Sequence, residues 1–244
     1  MIAAFISDIH GNLPALEAAL ADARHRGADK LYCAGDMTGY GPFPREVCRI
    51  LEREPITSII GNYDIKVLAA IHCSAELKKR MKPGKWKILE WTCGQMDSEA
   101  QGFLSSLPSL HHETLAGCFE LLMVHGSPVS VDDTIYPSIT PYGLKKKLVG
   151  TRPDILICGH THIPFVRRVA GTLIVNCGST GLPVDGDPRP AYALVNVAQG
   201  KPPSARIIRF GYPKEELFRA MQRSTLPGGL SADFSEGIKQ RETP

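Results

Sequence analysis

Five short clusters hold the residues most able to do chemistry: Asp8-Ile9-His10, Gly35-Asp36, Gly61-Asn62-Tyr63-Asp64, His125-Gly126 and Gly159-His160-Thr161-His162. Each follows an apolar run that reads as a strand. A His-x-His pair on a tight turn can aim two imidazoles at one centre, yet by itself it marks structural histidines as often as ligands. Asp-x-His says less still. The combination says more, because it brings four histidines, two aspartates and an asparagine from strand ends that should converge. Mixed imidazole and carboxylate donors without thiolate suit Mn²⁺, Fe or Zn²⁺ in open coordination. Two such ions about 3.5–4 Å apart polarise a phosphoryl group and ionise a bound water. That arrangement needs a shared ligand, and a carboxylate bridges more readily than an imidazole. The flanking Gly11, Gly35, Gly61, Gly126 and Gly159 suit loops where backbone passes close to the centre.

Strands and helices must alternate to gather these loops. The apolar run 2–6 reads as a buried strand. A helix opens near Pro14 with Leu13, Leu16 and Leu20 at helical spacing, and Gly27 ends it. Residues 31–34 and 56–60 read as further strands, with a helix from Pro44 between them that turns Val47, Ile50 and Leu51 inward. Repetition of this kind implies parallel pairing with right-handed crossovers. Residues 64–107 read as a helical insertion whose Trp86, Leu89, Cys93 and Met96 share one face, the pattern of core packing. The second half reads as strands over 121–124, 155–158, 165–169, 173–176, 192–197 and 206–210, with turns at Gly171 and over 199–203. A helix with Leu217 and Met221 follows, then a 224–231 linker and a polar tail. The predicted division is one domain over 1–212 and a C-terminal helix and tail over 213–244. Two strand groups with helices between them point to two sheets packed face to face with helices outside, an α/β sandwich whose loops gather along one edge.

Composition excludes several classes. At 244 residues the chain buries a core without staples, and its net charge of +3 is too small to imply a nucleic-acid groove. Its apolar runs fall short of the roughly 20 residues of a membrane helix, and its opening lacks a signal-peptide pattern, so the expected location is cytoplasmic. The seven cysteines are scattered and never form Cys-x-x-Cys, which argues for buried free thiols over disulfides or a zinc cluster. His25, His72, His111 and His112 read as surface or capping residues. Lys145-Lys146-Lys147 reads as a solvated helix face, and one of Arg167 and Arg168 could attract an anionic substrate while the other faces solvent.

In order and spacing the five clusters resemble the calcineurin-like metallophosphoesterase superfamily, with its Asp-x-His, Gly-Asp, Gly-Asn-His-Asp/Glu, His and Gly-His-x-His pattern across residues 8–162. The resemblance implies a four-layer αββα fold with two mixed sheets. It also implies two divalent ions, Mn²⁺ foremost and Fe, Zn²⁺ or Ni²⁺ as alternatives. Asp8, His10 and His162 would hold one ion, Asn62, His125 and His160 the other, and Asp36 would bridge. Asn62 would also touch the substrate phosphate.

Two positions depart from the pattern. Tyr63 stands where the family has a histidine thought to protonate the leaving group. A phenol with a pKa near 10 is the poorer acid at neutral pH. Asp64, which would orient that histidine, is kept. Small prokaryotic phosphodiesterases of the superfamily often share this departure. Second, Gly35-Asp36-Met37-Thr38-Gly39-Tyr40-Gly41 lacks the arginine with which serine/threonine phosphatases clamp phosphate, so Tyr40 and Pro42 either shape the mouth of the site or form a tight turn. The implied activity is hydrolysis of a small, nucleotide-like phosphodiester by metal-activated water. The alternatives are a phosphomonoesterase, a dinucleoside polyphosphate hydrolase, or a metal-binding scaffold without turnover. Neither membrane nor duplex nucleic acid is an expected partner, and oligomeric state is left open.

Overall fold

A computed structural model describes residues 1–227 and Phe234. Of the expected linker and tail, 228–244 apart from Phe234 lies outside the described residues. The first half alternates as expected: β1 (Ile2–Ile6), α1 (Leu13–His25), β2 (Lys30–Cys33), α2 (Pro44–Arg53) and β3 (Ile56–Ser58). Asn12 caps α1 by accepting the Ala15 amide at 3.2 Å, and Gly27 ends it at φ 79°, a left-handed turn that glycine enters without strain. Three helices follow, α3 (Asn62–Arg80), α4 (Pro83–Gln95) and α5 (Ser98–Ser106). The second half contains β4 (Leu110–Leu115), β5 (Phe119–Val124), α6 (Pro141–Lys147), β6 (Ile155–Cys158), β7 (Phe165–Val169), β8 (Thr172–Asn176), β9 (Ala191–Ala198), β10 (Lys201–Arg209) and α7 (Lys214–Arg223).

These strands form two five-stranded mixed sheets, ordered β10-β9-β1-β2-β3 and β4-β5-β6-β8-β7. In the first, β1, β2 and β3 run parallel, and β9 and β10 are antiparallel additions. In the second, β5, β6 and β8 run parallel between antiparallel edges β4 and β7. The two-residue side-chain period then assigns every layer. Ala3 and Phe5 of β1 pack between the sheets against Met123, Ile155, Ile157 and Val175. Ala4 and Ile6 point the other way, into the core under α1–α5. On the opposite face, Leu122, Leu156 and Cys158 meet Ile135 and Leu144, so among the described residues the outer layer there is the short α6 and its preceding loop. The expected four layers are present, unequal in thickness.

Several details differ from the sequence reading. Strand β4 is not foreshadowed, because Leu-His-His-Glu-Thr-Leu on a sheet edge buries only its last side chain and has no apolar run. Strand β10 starts at Lys201, inside the expected turn, and β3 stops at Ser58, where the chain turns off and the Ile60 amide bonds to Pro108 O at 2.9 Å. Cys33, Cys48, Cys158 and Cys177 are buried, while Cys73 and Cys118 are exposed. Trp86, Leu89 and Met96 are core residues, with Cys93 half-buried beside them. Arg167 and Arg168 do point opposite ways, but neither is free for substrate. Arg167 donates to Pro137 O and Ile139 O, and Arg168 to Gly171 O and Pro203 O.

Candidate metal centre

All five clusters sit where parallel strands end. Asp8 and His10 follow β1, Asp36 follows β2, Asn62 opens α3 after β3, His125 follows β5, and His160 and His162 follow β6. Loops at the carboxyl ends of parallel strands lie on one edge, where such sheets bind ligands. The chain pays for this in backbone conformation: Asp8 (φ 53°), His10 (50°), Asp36 (53°), His160 (64°) and His162 (56°) all occupy the left-handed region. Such conformations in non-glycine residues cluster at functional sites. Packing is equally tight. A Cβ on Gly61 would collide with the backbone and carboxylate of Asp36, and one on Gly159 with Ser7 and Asp8.

The donor atoms fall into two groups, Asp8 with His10 and His162, and Asp36 with His125 and His160, each with one donor atom per residue within 4.8 Å of the others. Asp36 spans them: Oδ1 lies 3.4 Å from His125 Nε2 and Oδ2 3.8 Å from His10 Nε2. Asn62 Oδ1 stands 3.0 Å from both His125 Nε2 and His160 Nδ1. The Nδ1 atoms of His10, His125 and His162 face the carbonyls of Thr38 (3.0 Å), Ala34 (2.8 Å) and Leu182 (2.5 Å). A carbonyl only accepts, so each Nδ1 must carry the proton. When neutral, each imidazole then turns the lone pair of Nε2 into the site. Between neutral rings lone pair meets lone pair where His10 Nε2 and His162 Nε2 stand 3.2 Å apart. Asp8 Oδ1 is buried, and the group beside it is His162 Nε2 at 3.2 Å, a lone pair when that ring is neutral. Imidazole and carboxylate atoms that converge in this way are what a bound cation relieves, so these residues fit divalent ions.

Charge in the cluster is correspondingly shifted. Burial opposes ionisation of Asp36, but His125 and His10 outweigh it and hold the carboxyl well below its usual range. Asp8 is likewise lowered, burial being outweighed by His162. Burial pushes His10 down to about 4. His125 rises to about 10, since Asp36 and Asp8 overcome its burial.

Asp64 lies apart from these donors. Its carboxylate accepts the Met37 amide (3.1 Å), the Thr38 amide (3.0 Å), the Thr38 hydroxyl (2.7 Å) and the Gly61 amide (3.1 Å), tying the Asp36 loop to the start of α3. Burial and the Asp36 charge push it up to about 6. Tyr63 stacks edge-on to His10 at 6.0 Å and against Tyr40 at 5.0 Å, and its buried hydroxyl has no hydrogen-bond partner. Tyr40 does both things expected of it, making a tight turn at φ 61° and lining the mouth.

Above the donors opens a cleft of about 990 Å³. His10, Asp36, Asn62, His160 and His162 floor it, Tyr40 and Tyr63 edge it, and Lys66, Arg80, Lys82 and Lys85 of the helical segment line a wall. Motif reading did not find this wall, nor the carbonyls of Ala34, Thr38 and Leu182. Backbone acceptors leave no trace in residue type, and lysines at helix ends look like ordinary surface.

Residues 1–200 match the family model of the calcineurin-like phosphoesterase superfamily domain. An uncharacterised protein of Methanocaldococcus jannaschii is 31% identical, covering 93% of this chain and 94% of its own. A metallophosphoesterase structure from Sphaerobacter thermophilus superposes with a TM-score of 0.79 at 28% identity, over 98% of this chain and 99% of that one. The phosphodiesterase YfcE of Escherichia coli is 25% identical over 75% of this chain and 82% of its own. With the two donor groups at the strand ends, these matches establish that the chain belongs to the calcineurin-like phosphoesterase superfamily and is a hydrolase of phosphate ester bonds.

Proposed function

We propose that this protein hydrolyses a small phosphodiester, with Asp8, His10 and His162 holding one divalent ion, Asn62, His125 and His160 the other, and Asp36 shared. The observation that carries the reading is the posture of Asp36, which turns one carboxylate oxygen toward each donor group. When bound, the ions would polarise the phosphoryl group and lower the pKa of an attacking water. The chain supplies the rest. Carbonyls of Thr38, Ala34 and Leu182 fix three imidazole orientations, and Asp64 is a positioning residue for the 36–38 loop. Asn62, whose Oδ1 stands 3.0 Å from His125 Nε2 and His160 Nδ1, would complete the second donor group and touch the substrate phosphate.

Tyr63 acts as a hydrogen-bond donor rather than a proton donor. Burial, then Tyr40 and Asp36, raise its pKa further, so the phenol stays protonated and is a weak acid. Leaving groups that need little protonation should therefore be favoured. A diester is favoured over a monoester because the segment after Asp36 carries no arginine, and Tyr40, which lines the cleft there, offers no charge to a dianion. The likeness to a protein named phosphodiesterase YfcE agrees. Imidazole, carboxylate and amide donors favour Mn²⁺, with Fe, Zn²⁺ or Ni²⁺ able to substitute. Seven free cysteines fit a reducing cytoplasm. Residues 1–212 would form the catalytic domain, and 213–244 an appended helix and tail.

The test is hydrolysis of bis(p-nitrophenyl) phosphate against p-nitrophenyl phosphate by chelator-stripped protein, with Mn²⁺, Ni²⁺, Zn²⁺ or Mg²⁺ restored singly. Metal-dependent preference for the diester is expected. Preference for the monoester would overturn the diester reading, and silence with every metal would overturn turnover itself.

A further inference from the structure

The cleft has two unlike sides. Its floor is the donor cluster, while one wall is built by α3, the α3–α4 turn and α4. The backbone of α3 leaves helical geometry at Cys73 (φ −139°, ψ 52°), and beyond this kink the chain carries Arg80, Lys82 and Lys85 to the cleft. Lys66, on the nearer part of α3, joins them. Asp132 is the carboxylate facing this group, 3.4 Å from Lys66. Arg80, Lys82 and Lys85 form no ion pair among the described residues, whereas Arg45 and Arg49 on α2 and Lys79 beside them are all paired.

Helix energetics favour Arg80, in the last turn of α3, but not the two lysines that follow it. Lys82 holds the N-cap of α4, where Ser, Thr, Asp or Asn would satisfy the free amides, and the first turn has no acidic residue. Cations there oppose the helix dipole at a cost of about 0.3–1 kcal/mol each. Unpaired cations and free helix amides on this wall both ask for an anion. A volume of about 990 Å³ sits at the upper end of small-molecule sites, larger than one phosphodiester centre requires.

We infer that the substrate carries a second phosphoryl group, and that Arg80, Lys82 and Lys85, with Lys66 behind them, hold it while the scissile phosphate lies on the floor. The ligand class is a small nucleotide-like phosphate ester with two phosphates. This rests on the phosphoesterase reading for the floor but makes a separate demand on the wall.

The experiment compares the p-nitrophenyl ester of thymidine monophosphate with the same ester bearing a second phosphate on the sugar. The added phosphate should lower KM about fivefold to tenfold at low ionic strength, an advantage that shrinks as salt rises toward about 0.5 M, as expected of several solvent-facing charge pairs. In Arg80→Glu/Lys82→Glu/Lys85→Glu the KM ratio should fall to one or invert, and Lys82→Arg/Lys85→Arg should keep it. Equal KM for the two esters in the wild type, or a ratio kept by the charge-reversed variant, overturns the inference. Faster turnover of thymidine oligonucleotides than of the doubly phosphorylated ester overturns the small-molecule assignment. Calorimetric binding of thymidine bisphosphate against thymidine monophosphate reads the wall without turnover. A wall preference that persists in a silent protein would sink the phosphoesterase reading alone.

Discussion

The two ends of the sheet sandwich solve opposite problems. At the carboxyl ends of β1, β2 and β6 the chain holds six non-glycine residues in left-handed backbone and leaves the buried Tyr63 hydroxyl without a hydrogen bond among the described residues. At the amino end of β2 the polar groups are satisfied. Glu113 of β4 accepts from Lys30, from the Tyr32 hydroxyl at 2.8 Å and from His111 at 3.1 Å, tying one sheet to the other. Nearby, the Asp29 carboxylate accepts the Ile2 amide at 2.6 Å, and the N-terminal ammonium bonds to Val197 O at 3.0 Å. More of the left-handed backbone lies where a ligand can bind, against Ala116, Val149 and Ala170 elsewhere, and the far end carries the cross-links. Stability and activity should therefore respond separately to substitution at the two ends.

The largest effect belongs to the strained end. Asp36→Asn should reduce turnover of bis(p-nitrophenyl) phosphate by more than the roughly 10–100-fold typical of changes one shell out from a metal. Metal analysis of the purified variant should show less than the wild-type content. Full activity there would erase the contrast by showing that Asp36 is not shared. A smaller effect is expected at the border of the floor. Tyr63→Phe should cost about threefold to tenfold in kcat for esters with poor leaving groups, on the scale of one lost hydrogen bond. Because its hydroxyl is buried and unpaired, thermal stability should hold or rise by up to about 1 kcal/mol. Lower stability with intact turnover would mean that Tyr63 is a packing residue.

The satisfied end gives the smallest effect on activity and a measurable one on stability. Burial opposes ionisation of Glu113, but Lys30, His111 and Tyr32 outweigh it and lower the carboxyl to about 2. An unfolded glutamate titrates near pH 4.3, so the folded state gains while this carboxylate is charged above that pH. The gain disappears as pH falls through about 2. Glu113→Gln should thus lower stability by about 1 kcal/mol at neutral pH, since the cluster is partly exposed. The penalty should fade between about pH 5 and pH 2 in denaturant titrations, with turnover at neutral pH unchanged. A pH-independent penalty would assign the loss to packing, and lost turnover would couple the two ends after all.

Legibility in the sequence follows the same division. The donor residues could be read because their types are chemically restrictive and each follows an apolar strand. Asp64 could be found but not understood: it reads as the partner of a missing histidine, yet in the fold it braces the Asp36 loop through four hydrogen bonds. Edge strand β4 escaped because it buries only its last side chain and carries no apolar rhythm.

Local pattern by itself determined the alternation of elements, the buried faces of β1 and β6, and the identity of the residues able to bind metal. It could do so because side-chain period and donor chemistry are properties of short segments. Tertiary structure alone decided which carbonyl orients each imidazole, that Asp36 faces both donor groups, and that lysines and an arginine some twenty residues past the Gly61 turn stand beside the floor. Those are relations between segments far apart in the chain, set by sheet order and by a kink at Cys73, and no single stretch of sequence contains them.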